Sequence, residues 1–191
     1  MQFKALAFLL ILSILLFTGC HKKDKNKEQV KEEEKKEAVI EKTEKKSEFQ
    51  LKAIDNTIID VKIEDGKIIV KDYPNKMVLL SFFATWCPPC KAEIPNLIDL
   101  QSEYKNDLVI ISVLVEEMKS DEEISAFVKE HKINYTVVNS PENFDLAKAL
   151  GGIKSIPTLF LIDKNSNIFQ KYVGLVPNEM MEIDLKKVLE K

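Results

Sequence analysis

The run Met77-Val78-Leu79-Leu80-Ser81-Phe82-Phe83 is apolar at nearly every position and lacks the alternation of a half-exposed strand. A run of this kind is expected of a β-strand covered on both faces, which calls for a sheet with helices packed on each side. It leads directly into Cys87-Pro88-Pro89-Cys90, after which Ile94, Leu97, Ile98 and Gln101 recur on roughly one side of a helix. Val109–Val115 supplies a second buried strand and completes a β-α-β unit. Ser120 with Glu123 forms a capping-box signature ahead of Ile124, Phe127, Val128 and His131 at helical spacing. Ser140-Pro141 opens a short helix through Phe144, Ala147 and Leu150 that stops at Gly151. Strands follow at Thr158–Ile162 and Ile168–Val173, and a last helix places Met181, Leu185 and Val188 on one face. Upstream, Phe49–Ile54, Ile58–Ile63 and Lys67–Val70 read as strands, with Asp65-Gly66 as a tight hairpin turn. The expected class is α/β: a central mixed β-sheet flanked by helices on both faces, with an N-terminal β-hairpin extension.

The 48 residues ahead of this domain carry a different signal. Lys4 precedes an apolar and small run from Ala5 to Phe17, shorter than the ~20 residues a spanning helix needs and of the form of a secretory signal. The run ends in Phe17-Thr18-Gly19-Cys20, which resembles the lipobox of bacterial lipoproteins and implies cleavage after Gly19 and lipidation of Cys20. An ordinary signal with a chance cysteine is the alternative. From His21 to Glu48 there are 10 lysines and 9 acidic residues among 28 positions, with three Val/Ile side chains. That composition cannot oppose chain entropy by burial. Expected boundaries are therefore a signal peptide over 1–19, lipidated Cys20 with a charged, disordered tether over 20–48, and one folded domain over 49–191.

The formal charge is −3 and every one of the 28 basic residues is lysine, so the forked contacts that phosphate and guanine recognition favour are missing. Nucleic acid is not an expected partner. Three cysteines and two scattered histidines make a four-ligand structural zinc site improbable.

Chemistry concentrates in Trp86-Cys87-Pro88-Pro89-Cys90. A C-x-x-C at a strand-to-helix junction puts the first sulfur at a helix N-terminus, where free N–H groups and the dipole favour thiolate over thiol. Cys87 is the candidate nucleophile. Cys90, one turn on, can attack a mixed disulfide on Cys87 and release the reduced partner. Half of a zinc site and an inert structural disulfide are the competing readings.

FFATWCPPC followed by KAEIP, and later SIPTLFLID, resemble thioredoxin-fold proteins of the exported, membrane-tethered TlpA/ResA type, over roughly residues 49–191. The resemblance implies a thioredoxin fold and a thiol-disulfide oxidoreductase acting on protein cysteines, reductively rather than oxidatively. It implies a cis Pro157 beside the redox pair, with the Ile156 backbone pairing with an extended substrate segment. Trp86, Ile156 and Pro157 are thereby assigned to substrate contact, and Pro95 to a helix kink. Ser81 stands where thioredoxin has a buried aspartate, and a hydroxyl is no base near neutral pH. Proton handling must then lie elsewhere. Glu93 matches a glutamate of the tethered relatives and is the candidate proton acceptor for Cys90; an ordinary acid in a first helical turn is the alternative. Glu116 and Glu117 are weaker candidates, with a solvated loop as the competing reading.

No cofactor beyond the Cys87–Cys90 pair and no metal is expected. The implied partners are protein thiols and disulfides, a membrane thiol-electron donor, and a membrane reached through lipid on Cys20, with the protein itself a monomer. The implied location is the periplasm or the outer surface of the cytoplasmic membrane. The related alternatives are a copper-delivery chaperone, which would add a histidine ligand and a longer cysteine spacing, and a disulfide-forming oxidase. The peroxidase branch requires Pro-x-x-x-Thr-x-x-Cys, and Thr85 lies two, not three, residues before Cys87.

Overall fold

The computed structural model describes residues 46–190. The expected signal peptide, Cys20 and the tether as far as residue 45 lie outside the described residues. Lys46 pairs with Glu142 and Asp145 at 3.0 and 3.5 Å, and strand β1 starts at Glu48.

Strands β1 (Glu48–Lys52), β2 (Ile58–Glu64) and β3 (Lys67–Val70) form an antiparallel sheet in that order. The expected hairpin is thus part of a three-stranded sheet. Its turn, Asp65-Gly66, has φ of 50° and 76°, the left-handed pair that a two-residue turn needs to match strand twist.

The second sheet has the order β6-β5-β4-β7-β8. Its elements are β4 (Met77–Phe83), α1 (Pro88–Glu103), β5 (Leu108–Leu114), α2 (Asp121–Glu130), β6 (Thr136–Val138), α3 (Glu142–Ala149), β7 (Thr158–Ile162), β8 (Ile168–Val173) and α4 (Asn178–Leu189). β4, β5 and β6 run parallel, with α1 and α2 as crossovers; β7 and β8 add antiparallel partners. All seven β4 residues are buried, which accounts for the unbroken apolar run. Met77 and Leu79 pack with Leu97, Leu100, Met181, Leu185 and Val188 of α1 and α4. Val78, Leu80 and Phe82 point the other way, toward the three-stranded sheet and Leu146 and Ala147 of α3. Each such side chain contributes about 2 kcal/mol by leaving water.

Several local devices match the sequence. Ser120 Oγ accepts from the Glu123 amide and Glu123 Oε2 from the Ser120 amide, closing the capping box of α2. At the end of α3, Gly151 has φ of 90° and its N–H bonds Lys148 O, while the Gly152 N–H bonds Ala147 O. This is the paired C-terminal motif that favours glycine. On the side of α1 shared with Ile94 and Leu97, the Gln101 amide ties Leu108 O and Ile110 N at 3.0 and 2.8 Å. His131 caps the end of α2, half-buried, with its ring 4.3 Å from that of Phe127. Strand β6, three residues long, is too short for periodicity to reveal.

Asn143 is buried at 1% exposure, and its Nδ2 donates to Leu114 O and Val138 O at 2.9 and 3.0 Å. It joins the ends of β5 and β6. Asn143→Ala leaves two buried carbonyls unpaired, and a stability loss of about 2 kcal/mol or more is expected in urea unfolding. A loss below about 0.5 kcal/mol would mean that other groups satisfy those carbonyls.

Candidate active site

Helix α1 begins at Pro88, whose missing N–H has no helical partner at that position, and Cys87 is its N-cap with extended backbone (φ −82°, ψ 111°). The Cys90 N–H donates to the Cys87 sulfur at 3.3 Å, as a capping serine oxygen would accept. Three residues of helical rise bring the two Cα atoms to 5.3 Å, within bonding range, and the structure holds Cys87 and Cys90 as a disulfide. Both cysteines are 3% exposed, so accessibility does not separate them; position does. Cys87 lies at the cap beside exposed Trp86, Pro88 and Pro89, while Cys90 sits one turn into α1; both belong to the apolar cluster that includes Phe83, Ile94 and Leu114.

β7 pairs antiparallel with β4, so the segment entering it lies beside the residues leaving β4. Ile156-Pro157 is cis, Pro157 is buried, and the Ile156 carbonyl oxygen lies 3.8 Å from the Cys87 sulfur. Trp86, 64% exposed, stands at the rim. A cavity of about 280 Å³ lined by Val115, Phe144, Ala147, Ile153 and Ile156 opens beside this loop. The fold therefore brings Trp86, Cys87, Cys90, Ile156 and Pro157 together. Pro95 lies within α1 on its exposed side.

Glu93 is not a solvated acid of the first turn. It is 1% exposed, its Oε1 has no hydrogen-bond partner, and burial pushes its carboxyl up to about 7, with the Val176 backbone amide pulling weakly the other way. The Tyr135 hydroxyl, driven upward chiefly by its own burial, hydrogen-bonds Ser112 and feels the Glu93 charge. Ser112 pairs in register with Ser81, and both are buried. Ser81, Ser112, Tyr135 and Glu93 thus make a polar patch under α1. Tyr135 and Ser112 were not legible as members, because only strand register and helix packing assemble them.

Glu116 is held as well. Its Oε2 accepts from the Thr85 N–H at 2.9 Å and from Thr85 Oγ1 at 2.7 Å; Glu117 is exposed. A cysteine pair at a helix start, one sulfur capping the helix and a cis-proline loop against it, is competent for thiol-disulfide exchange.

Residues 43–171 match the family model described as the AhpC/TSA family. The thiol-disulfide oxidoreductase ResA of Bacillus thuringiensis subsp. konkukian (strain 97-27) is 34% identical over 126 residues, which is 66% of this chain and 71% of that protein. Among solved structures, StoA from Bacillus subtilis shares the fold with a TM-score of 0.57 at 22% identity, over 73% of this chain and 96% of its own. The exposed lipoprotein thioredoxin of Streptococcus pneumoniae strain TIGR4 does so with a TM-score of 0.60 at 24% identity, over 74% and 99%. On the fold, the redox pair and these likenesses together, the chain belongs to the AhpC/TSA family and is a thioredoxin-fold thiol-disulfide oxidoreductase of the ResA type.

Proposed function

We propose that the protein is an exported, membrane-anchored reductase of disulfides in other exported proteins. The observation that carries this reading is the Cys87 sulfur at the cap of α1, bonded to Cys90 and close to the Ile156 carbonyl. In the reduced enzyme the Cys87 thiolate attacks one sulfur of a substrate disulfide, forming a mixed disulfide and expelling the other sulfur as a thiolate. Cys90 gives its proton to Glu93, attacks the Cys87 sulfur, and releases the second substrate thiol as the Cys87–Cys90 disulfide forms. Two electrons pass to the substrate. A membrane thiol donor restores the dithiol, and neither metal nor further cofactor takes part. The substrate lies extended along Ile156 and Pro157 with Trp86 at its side, and the enzyme acts as a monomer. Disulfides of apocytochrome c, of copper-site cysteines and of exported proteins generally are the substrate classes.

Electron flow toward the substrate is supported by what surrounds Cys87. Its sulfur receives the Cys90 N–H, while Pro88 and Pro89 have no N–H to add. Glu93, three residues beyond Cys90 on α1 and ionising near neutral pH, adds a negative charge that opposes thiolate formation. With the Cys90 N–H and the helix dipole alone, the thiolate is only moderately stabilised, so the reduced form is not strongly favoured and the pair gives up electrons readily. Equilibration with glutathione buffers is expected to return a potential nearer about −270 mV than about −120 mV. A value above about −160 mV would instead support the disulfide-forming oxidase.

The anchor is Cys20, the cysteine left over from the redox pair and the one that follows the apolar run. Among the described residues no helix is long and apolar enough to cross a membrane. Two acyl chains at about 0.8 kcal/mol per buried CH₂ hold a protein stably at a bilayer. Cys20→Ser is expected to move the protein from the membrane to the soluble fraction on cell fractionation. Full membrane retention at unchanged mass would rule out lipidation there.

A further inference from the structure

We propose that Glu116 is a positioning residue for the exchange reaction: through Thr85 it holds the turn that presents Cys87. The turn spans Ala84 to Cys87 and is closed by the Cys87 N–H donating to Ala84 O at 3.2 Å. Its downstream end is fixed by α1. Its upstream end hangs on Thr85, whose N–H and hydroxyl both donate to the same oxygen, Glu116 Oε2. Charge-assisted bonds of this kind are short and directional, and two converging on one residue fix its backbone and its side chain together.

The register of the sheet delivers the carboxylate. Phe83 pairs with Leu114, and the Val115 N–H donates to Phe83 O at 2.9 Å, so two residues beyond each strand Thr85 and Glu116 stand at the same level. The Glu116 side chain is 13% exposed and is braced from outside by Lys119, 3.8 Å from Oε1. Lys119 also pairs at 3.0 Å with Glu123, the partner of Ser120 in the capping box of α2. The chain of contacts runs from the start of α2 to the residue two before Cys87. Trp86, between them, has its side chain in solvent, so packing of its ring does not immobilise the turn. Attack on a disulfide sulfur is sensitive to small displacements of the nucleophile, and a loosened turn lowers the fraction of productive encounters. Thr85 and Glu116 are otherwise outside the chemistry: they exchange no electrons and touch neither sulfur.

The inference rests on Cys87 as the attacking thiol, and the test separates the two. Reduced protein is mixed with glutathione disulfide in a stopped-flow instrument and followed through Trp86, the sole tryptophan. Cys87 thiolate attacks one glutathione sulfur and expels one glutathione thiolate; Cys90 then expels the second as the internal disulfide forms. Glu116→Ala is expected to slow the first step about tenfold and to lower the fluorescence anisotropy of Trp86. Glu116→Gln, whose amide oxygen still accepts from Thr85, is expected to stay within about threefold of the parent with anisotropy unchanged. Thr85→Val, which keeps the N–H and removes the hydroxyl, is expected to slow the reaction about threefold and to add little on top of Glu116→Ala. Parental rates in both Glu116→Ala and Thr85→Val, with Cys87→Ser inert, would overturn the positioning role alone. Gln as slow as Ala would also overturn it, since charge rather than placement would then be the cause. Should Glu116→Ala not fold, a parental rate in Thr85→Val overturns it. A Cys87→Ser variant that reacts like the parent would bring down the assignment of the attacking thiol and this inference with it.

Discussion

Cys90→Ser is expected to turn the enzyme into a covalent trap, with turnover of disulfide substrates reduced by at least about three orders of magnitude. The two sulfurs are bonded across one helical turn, so Cys90 is the thiol already placed to displace sulfur from an adduct on Cys87. A serine there occupies nearly the same volume and retains the Cys90 N–H that caps the Cys87 sulfur, but its oxygen cannot displace sulfur from a mixed disulfide. Cys87 therefore still attacks, and the adduct persists. Non-reducing electrophoresis and mass mapping of cells expressing the variant should show reducible complexes joined through Cys87, and their partners identify the substrates. Cys87→Ser should give none. Adducts accumulating on Cys87→Ser instead, through Cys90, would reverse the roles of the two cysteines.

Glu93→Gln is expected to change how stability depends on pH. The folded state raises the Glu93 carboxyl from 4.5 to about 7, because burial penalises the anion. The folded protein therefore binds this proton more tightly than the unfolded chain. Its contribution is complete below about pH 4.5, declines as pH rises toward 7, and is exhausted above that. At about 1.4 kcal/mol per unit the loss is roughly 3 kcal/mol. Glutamine does not titrate, so in urea unfolding of the oxidised protein the stability difference should move toward the variant by about that amount between pH 4.5 and pH 8. Parallel curves for the two proteins across this range would show that Glu93 stays ionised throughout. On the proposed role of Glu93 as acceptor of the Cys90 proton, the same substitution should slow the resolving step and remove its dependence on pH near 7.

What the sequence determines by itself is local or periodic. The seven-residue run of β4, the Ser120–Glu123 box, the left-handed Asp65-Gly66 turn and the glycine stop of α3 each depend on side chains a few positions apart. The redox pair belongs with them, since a spacing of three at a helix start sets both the distance between the sulfurs and the N-cap position of the first. The resemblance carried by WCPPC and the Ile-Pro-Thr segment added the cis Pro157 and its place beside Cys87. Tertiary structure decided the rest. Glu93 reads equally as an ordinary first-turn acid or as a proton acceptor for Cys90, and its burial is set only once α1 lies on the sheet with the loop at Val176 against it. Glu116 reads as a loop carboxylate until the β4–β5 register sets it against Thr85, 31 residues away in sequence. β6 exists because β5 offers it an edge, and the His131 ring lies tilted against that of Phe127 because α2 ends there. The physical reason is the same in each case. Burial and cross-strand pairing depend on which surfaces meet, and a side chain's charge state and partners follow from that meeting, whereas backbone turns, caps and helical spacing are settled within one or two turns of chain.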